Sequence, residues 1–479
     1  MSTAKEVSSN MIWRFLERSG AQLVTFIVSI ILARILEPQM YGTVALITVF
    51  TSILLLFVES GLGSALVQKK DADDLDFSTT FYFNVVMGCF LYFLMFIFAP
   101  QIASFYDNNE IVPLIRVQSL ILPISSVKII QQTYVAKKMI FKKFFFATLT
   151  GTIGAAILGI TLAFMGYGVW ALVIQGLFNC AVDTFILWLT VKWRPKLIFS
   201  FQRLKSLYNF AWKIIAVSII DTVYNKLHQI IIGKKYSPED LSFYDKGNHF
   251  PEFITNNINN SINSVLMPTM SNNQDNLTRL KEITRKSISI STYVMMPMMM
   301  GLAVCADSVI TILLTEKWIE SVYFMRIFCF IFALKPIQSS NLNAINALGR
   351  SDIYLKLEII KKIIGIIALV CSMFISVKAM ALSLIITNIF SQILNSFSVK
   401  KIINYSYKEQ LKDIFPHILI TCMMGICVYC ISFLNINYII ILILQIFTGI
   451  FIYIIISQIF KINSFVYLVN LLKDYLHRH

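Results

Sequence analysis

The residues with the most chemical potential in this sequence are charges set inside long apolar runs. Arg14, Glu17 and Arg18 lie in the first run, Glu59 in the second, and Arg116 and Lys128 in the fourth. Lys213, Asp221 and Lys226 fall in the seventh, Asp245, Lys246 and Glu252 in the eighth, and Arg326 and Lys335 in the tenth. A charge near the centre of a membrane helix costs at least about 2.5 to 3.5 kcal/mol on insertion scales, so each of these positions needs a reason. Arginine offers paired donors to phosphate and lysine a point charge. Nine of these charges are basic and five acidic, which favours an anionic ligand carrying phosphate or acidic sugar groups. The bland alternative is snorkelling of long basic side chains to the head groups. Carboxylates reach less far, so Glu17, Glu59, Asp221 and Glu252 are candidates for ion pairs or for a coupling cation, H⁺ or Na⁺. Asn256, Asn260 and Asn263 recur at helical spacing in the eighth run, and Ser339, Ser340, Asn341, Asn343 and Asn346 enrich the tenth. Such groups suit sugar hydroxyls or hydrogen bonds between helices.

The elements that must carry these charges are membrane helices. Of 479 residues, 57% are hydrophobic and only 14% charged, against about 25% in a soluble domain. Spanning helices need about 20 mostly apolar residues, and fourteen are expected, near 11–34, 41–66, 79–103, 112–136, 142–166, 169–191, 207–233, 239–268, 282–305, 319–348, 351–376, 379–400, 412–434 and 437–460. The eighth is too polar for hydropathy alone. It is required because lysine and arginine gather on the cytoplasmic side of membrane proteins. With both termini cytoplasmic, 27 of the 41 basic residues fall in inner segments and 5 in outer ones, and deleting the eighth span destroys that asymmetry. The net charge of +15 is therefore a membrane-loop signature, and nucleic acid is not expected as a partner.

A weak internal repeat gives the same organisation. Ile31, Arg34 and Pro38 match Ile231, Lys234 and Pro238, while Pro123, Ile124, Ser126, Lys137, Ile140, Phe141 and Lys143 match Pro336, Ile337, Ser339, Arg350, Ile353, Tyr354 and Lys356. The expected architecture is an all-α polytopic membrane protein with two pseudo-symmetric six-helix lobes, 1–203 and 204–405, around a central cavity. Two further helices and a cytoplasmic tail follow in 406–479. Helices 1, 2 and 4 of the first lobe correspond to 7, 8 and 10 of the second, the six that carry the charges. Asp183 in the sixth run is the one clear charge outside this set.

Several chemistries are not expected. There is no GxxxxGK[ST] phosphate loop, nucleophile elbow or metal-ligand cluster, and the eight cysteines lie in or beside apolar stretches. No cofactor is therefore expected. The first run carries Arg14, Glu17 and Arg18 with no small-residue cleavage site after it, so a retained amino terminus is expected rather than a cleaved leader.

The segments LARILEPQMYGTVAL (Leu32–Leu46), ESGLGSALVQKK (Glu59–Lys70), GYGVWALV (Gly166–Val173) and WRP (Trp193–Pro195) resemble bacterial polysaccharide exporters and lipid-linked oligosaccharide flippases, in the colanic acid and teichuronic acid exporter branch. The resemblance is strongest before about residue 200 and nearly absent from the last two helices. It implies the multidrug/oligosaccharidyl-lipid/polysaccharide superfamily fold. It also implies a transporter, not an enzyme, that moves an undecaprenyl-pyrophosphate-linked oligosaccharide across the bacterial plasma membrane by alternating access. Lipid-linked oligosaccharide, membrane lipids, and polysaccharide polymerase and export machinery are the implied partners. The nearest alternative is a multidrug and toxin extruder of the same superfamily, whose cavity should be net acidic. A polytopic glycan polymerase or acyltransferase is a lesser one and would need a larger outer loop or an intramembrane catalytic group.

Overall fold

The computed structural model describes the backbone of residues 4–59, 61–434 and 436–477, and their side chains except 4–19, 141–143, 210, 471–472 and 475–477. The chain forms two compact units, Met1–Ser242 and Phe243–His479. The first holds α1 (Ala4–Ile35), α2 (Pro38–Glu59), α3 (Leu62–Gln68), α4 (Asp74–Phe105), α5 (Ile111–Gln118), α6 (Ile121–Lys138), α7 (Phe141–Phe164), α8 (Val169–Thr190), α9 (Phe201–Lys235) and the start of α10 (Pro238–Ser271). The second holds the rest of α10, then α11 (Leu277–Val304), α12 (Ala306–Leu313), a 3-10 turn (Glu316–Trp318), α13 (Ser321–Ala333) and α14 (Lys335–Ala347). It continues through α15 (Ser351–Ser372), α16 (Val377–Ile403), α17 (Tyr407–Ile431), α18 (Tyr438–Ile459) and α19 (Asn463–His477). The fold is all-α, with no strand among the described residues.

Among the described residues, ten helical stretches are long and apolar enough to cross a membrane. The remaining four of the fourteen expected spans are helices of the needed length, α1, α9, α10 and α15, of 32, 35, 34 and 22 residues. Each carries the polar or charged residues that lower its hydropathy; in α1 the apolar described part is the shorter Gly20–Ile35. The outward surface supports a lipid environment. On α18, with mean hydropathy 2.9, Phe447 and Phe451 remain 70% and 66% exposed. In water such a face would drive aggregation, whereas hydrocarbon accommodates it at no cost.

The sequence repeat reappears in helix punctuation. The joint between α1 and α2 is closed by Pro38, and the joint between α9 and α10 by Pro238. Proline at a helix start loses no hydrogen bond. The fourth and tenth spans are each broken, into α5/α6 and α13/α14, and each pair ends on a left-handed residue, Met139 (φ 55°) and Gly349 (φ 68°). The eighth span is one continuous helix, α10, despite Pro251 and Pro268. Gly42 of the YGTVAL segment has a backbone reason: a Cβ there would lie 1.6 Å from the Pro238 carbonyl oxygen.

In the first unit α6 packs against α2, α4 and α8, and α9 lies along α2, α3 and α4. The WRP segment closes one end of this bundle. Trp193 is buried between Phe77 and Tyr134 and donates its indole N–H to Asp74 Oδ1 at 3.2 Å. Arg194 donates to the carbonyls of Trp188, Val191 and Trp193, which satisfies the open end of α8. Beside it, Lys69 pairs with the buried Asp76 at 2.5 Å and Lys196 with Asp74 at 2.6 Å. Lys137 donates to the last carbonyls of α3 at Leu66 and Val67 and to Lys69. Several residues that carry the family resemblance therefore serve the architecture of this end of the bundle.

Candidate functional site

The polar groups of the first unit converge on Lys128. This lysine projects from α6 and its ammonium lies 3.5 Å from Asp183 Oδ2 on α8, both side chains being largely buried. Glu59, at the end of α2, is within electrostatic reach of the same ammonium. It lines a cavity of about 420 Å³ between α2, α3 and α6, together with Ser64, Gln68, Gln132 and Thr133. An exposed carboxylate, a largely buried cation and a row of amides and hydroxyls thus occupy one continuous region. Asp183, left outside the cation-bearing helices by sequence pattern, is the acid the fold brings to Lys128.

On α9, Lys213 and Asp221 are exposed and Lys226 is half-buried. Lys213 and Asp221 are eight residues apart and so share a helix face, while Lys226 points away from Lys213. Arg116 bends back onto the preceding helix, with Nε donating to the Phe96 carbonyl at 3.4 Å and its guanidinium 4.3 Å above the Phe96 ring. The side chains of Arg14, Glu17 and Arg18, on α1, lie outside those described.

In the second unit the most continuous polar feature is on α10. Asn248, Glu252, Asn256, Asn260 and Ser264 recur every four residues, and all but the half-buried Asn248 are exposed. The Asn248 amide donates to Glu252 Oε2 at 2.8 Å, which ties the top of the stripe together. Exposed to hydrocarbon, such a row would be costly, so it belongs against water or a polar ligand. Lys335, at the start of α14, is half-buried, lies 5.5 Å from the Phe332 ring, and is within electrostatic reach of Glu252. Lys246 is buried, its ammonium 5.6 Å above the ring of Trp318. Arg326 repeats the posture of Arg116: from α13 it pairs with Asp307 of α12 and donates to the Ala303 carbonyl of α11 at 3.3 Å.

Part of the predicted amide set is structural. Asn341 and Gln410 exchange amide hydrogen bonds at 3.0 and 3.3 Å in the interior, Asn343 donates to Asn263 at 2.8 Å, and Ser340 meets Ser287 at 3.0 Å. These hold α14 to α17, α10 and α11. Asn256 and Asn260, in contrast, stay on the exposed stripe.

A family profile described as "Polysaccharide biosynthesis protein" matches residues 31–323, more than half of the chain. The chain is 25% identical over 315 residues to the succinoglycan biosynthesis transport protein ExoT of Rhizobium meliloti (strain 1021), covering 66% of this chain and 64% of that protein. It is also 25% identical over 314 residues to the teichuronic acid biosynthesis protein TuaB of Bacillus subtilis (strain 168), covering 64% of this chain and 63% of that one. The match thus spans a little under two thirds of these relatives' lengths. Among solved structures, the fold resembles the lipid II flippase MurJ in an inward closed conformation, with TM-score 0.78, 16% identity, and coverage of 94% of this chain and 98% of that one. It also resembles an inward-facing multidrug resistance MATE family transporter of the MOP superfamily, with TM-score 0.57, 14% identity, and coverage of 80% and 94%. Helical content, membrane-length apolar helices and the family match agree: the chain is a multi-pass membrane protein and belongs to the polysaccharide biosynthesis protein family.

Proposed function

We propose that this protein moves an undecaprenyl-pyrophosphate-linked oligosaccharide repeat unit from the inner to the outer leaflet of the bacterial plasma membrane by alternating access, as a transporter and not an enzyme. The observation that carries the proposal is the exposed polar stripe of α10, flanked by Lys335, in a chain whose relatives are named for transport in polysaccharide biosynthesis. Amides and a carboxylate at four-residue intervals fit sugar hydroxyls, and the cations fit a pyrophosphate. In this reading residues 1–203 and 204–405 act as the moving lobes, 406–479 is an appendage, and both termini are cytoplasmic. Moving one negative charge outward gains roughly 2.3 kcal/mol per 100 mV of inside-negative potential, so the potential assists export. A cation held near Glu59 or Asp221 is the candidate coupling ion.

The test is the leaflet distribution of lipid-linked oligosaccharide in cells with and without the gene, before and after Lys213→Ala and Lys335→Ala. Repeat units that build up on the cytoplasmic face in the deletion, and in the substituted strains at normal protein levels, support the proposal. Normal delivery to the outer face in the deletion strain, with no second exporter present, overturns it. Export of organic cations would then be measured, because the MATE-like fold is the structural basis for that second reading.

A further inference from the structure

The second unit contains a basic cavity that none of the proposed transport residues lines. Its volume is about 590 Å³, inside the range of roughly 300 to 1,000 Å³ usual for small-ligand sites. It lies between the first half of α11, the start of α17 and the junction of α18 with α19. These are the beginnings of two apolar spans and the end of a third, so the cavity sits at one membrane boundary, on the lysine-rich side that the sequence assigns to the cytoplasm.

The charges in this cavity do not cancel. Its two carboxylates are already engaged: Asp413 accepts from Arg285 at 2.6 Å and from the Tyr405 hydroxyl at 2.8 Å, and Glu282 pairs with Arg279 at 2.9 Å. Lys286, Lys412 and Lys461 remain, all exposed and none in an ion pair among the described residues. Lys286 is steadied by Tyr467 of α19, whose ring centroid is 3.7 Å from the ammonium. Lys461 occupies the left-handed turn position (φ 46°) between α18 and α19, where glycine is the low-cost residue. The first turn of α19 completes the wall and adds the positive end of its dipole.

The walls are built, not incidental. Ser464 of α19 is buried and bonds Ser289 at 2.8 Å and His417 Nε2 at 3.4 Å, while His417 Nδ1 meets Thr292 at 3.2 Å. Phe465 and Leu468 pack onto the core around Tyr293, Met424 and Tyr453, so α19 is fastened over the cavity by its apolar side. At the rim, the lining residue Phe460 is 59% exposed, and its chain neighbour Ile459 and Phe415, beside the lining Pro416, are 68% and 62% exposed, a surface for hydrocarbon chains. Three lysines at a membrane boundary with an apolar apron match a phosphate whose ester carries acyl chains.

We propose that this cavity binds the phosphate headgroup of an anionic membrane phospholipid, with the acyl chains along the outer faces of α17 and α18. The site is separate from the transport path and stands whether or not the flippase reading holds. The experiment uses the full chain purified in neutral detergent, titrated with dioleoylphosphatidylglycerol, dioleoylphosphatidylcholine or inorganic phosphate. Thermal midpoint and native mass spectrometry serve as readouts. Phosphatidylglycerol is expected to bind more tightly than either comparison ligand. Lys412→Gln/Lys461→Gln should weaken it about 25-fold, or about fivefold per lysine, with Lys400→Gln, exposed and outside the cavity, unchanged. If the double variant does not fold, Lys461→Gln alone should show its fivefold loss. Unchanged phosphatidylglycerol binding in the folded variants overturns the site. Equal binding of phosphatidylcholine overturns its anion selectivity, and equal binding of inorganic phosphate would make the ligand a soluble anion instead of a lipid.

Discussion

Removing Lys128 should damage the protein in a way that removing its partner repairs. The ammonium lies 3.5 Å from Asp183 Oδ2, with side-chain exposures of 16% and 10%, and Asp183 Oδ1 has no hydrogen-bond partner among the described residues. Coulomb's law at that distance, with an effective dielectric of about 20, gives an attraction of about 5 kcal/mol, much of it offset by the desolvation of both ions. Lys128→Met strands a buried carboxylate and is expected to cost about 3 to 5 kcal/mol. Lys128→Met/Asp183→Leu removes both charges and should cost less than Lys128→Met alone, giving a coupling energy of about 3 kcal/mol in a double-mutant cycle. Equilibrium unfolding in mixed micelles measures all four proteins. Strictly additive losses, with a coupling below about 0.5 kcal/mol, would refute the buried pair. The same variants separate structure from function. If Lys128 also holds the anionic substrate, the double variant folds but does not transport; if the lysine is purely structural, transport returns with stability.

Other outcomes follow from the same geometry. Replacing Asn256 and Asn260 together with leucine should leave the thermal midpoint unchanged or raised while export falls at least tenfold; full export by the leucine variant would place the stripe against lipid, not substrate. Gly42→Val drives a side chain into the Pro238 backbone, so a loss of about 3 kcal/mol, the top of the usual overpacking range, is expected in micelle unfolding, and a neutral result would negate the close approach. At the start of α4, Asp73 accepts from the Asp76 backbone N–H at 2.9 Å, and this bond, with Arg203 and Lys69 nearby, holds its carboxyl below the usual carboxylate range. The folded value lies under the unfolded one, so the contribution is present above about pH 4 and disappears as pH falls through the depressed value. Asp73→Ala should cost about 1 kcal/mol as a lost cap. Asp73→Asn, which keeps the cap acceptor but not the charge, should show a shallower fall in thermal midpoint between pH 5 and pH 3, and an unaltered slope would count against the ionised cap.

The contrast between α10 and α19 explains what the sequence could and could not reveal. Helix α10 is legible although its hydropathy fails, because the direction of every later loop depends on it and the lysines report that direction. Its polar stripe is legible too, since Asn256 and Asn260 sit at helical spacing. Helix α19 carries the apolar spacing of an amphipathic helix in FVYLVNLL, yet reads as a tail when attention is confined to runs long enough to cross a membrane. The same limit hides Asp183: its acid is conspicuous, but its partner lies 55 residues away on α6, and a distance of that kind exists only after α6 and α8 have packed. Arg116 and Arg326 show the converse. Residue spacing marks both as charges within apolar runs, but side-chain direction depends on the neighbouring helix, and each turns toward a carbonyl of an earlier helix, Phe96 and Ala303. Intramembrane charge therefore locates the helices that deserve testing, while the partner each charge finds decides whether it can meet a ligand. By that criterion the exposed Lys213 and half-buried Lys335 are better first targets for substrate contact than the two arginines.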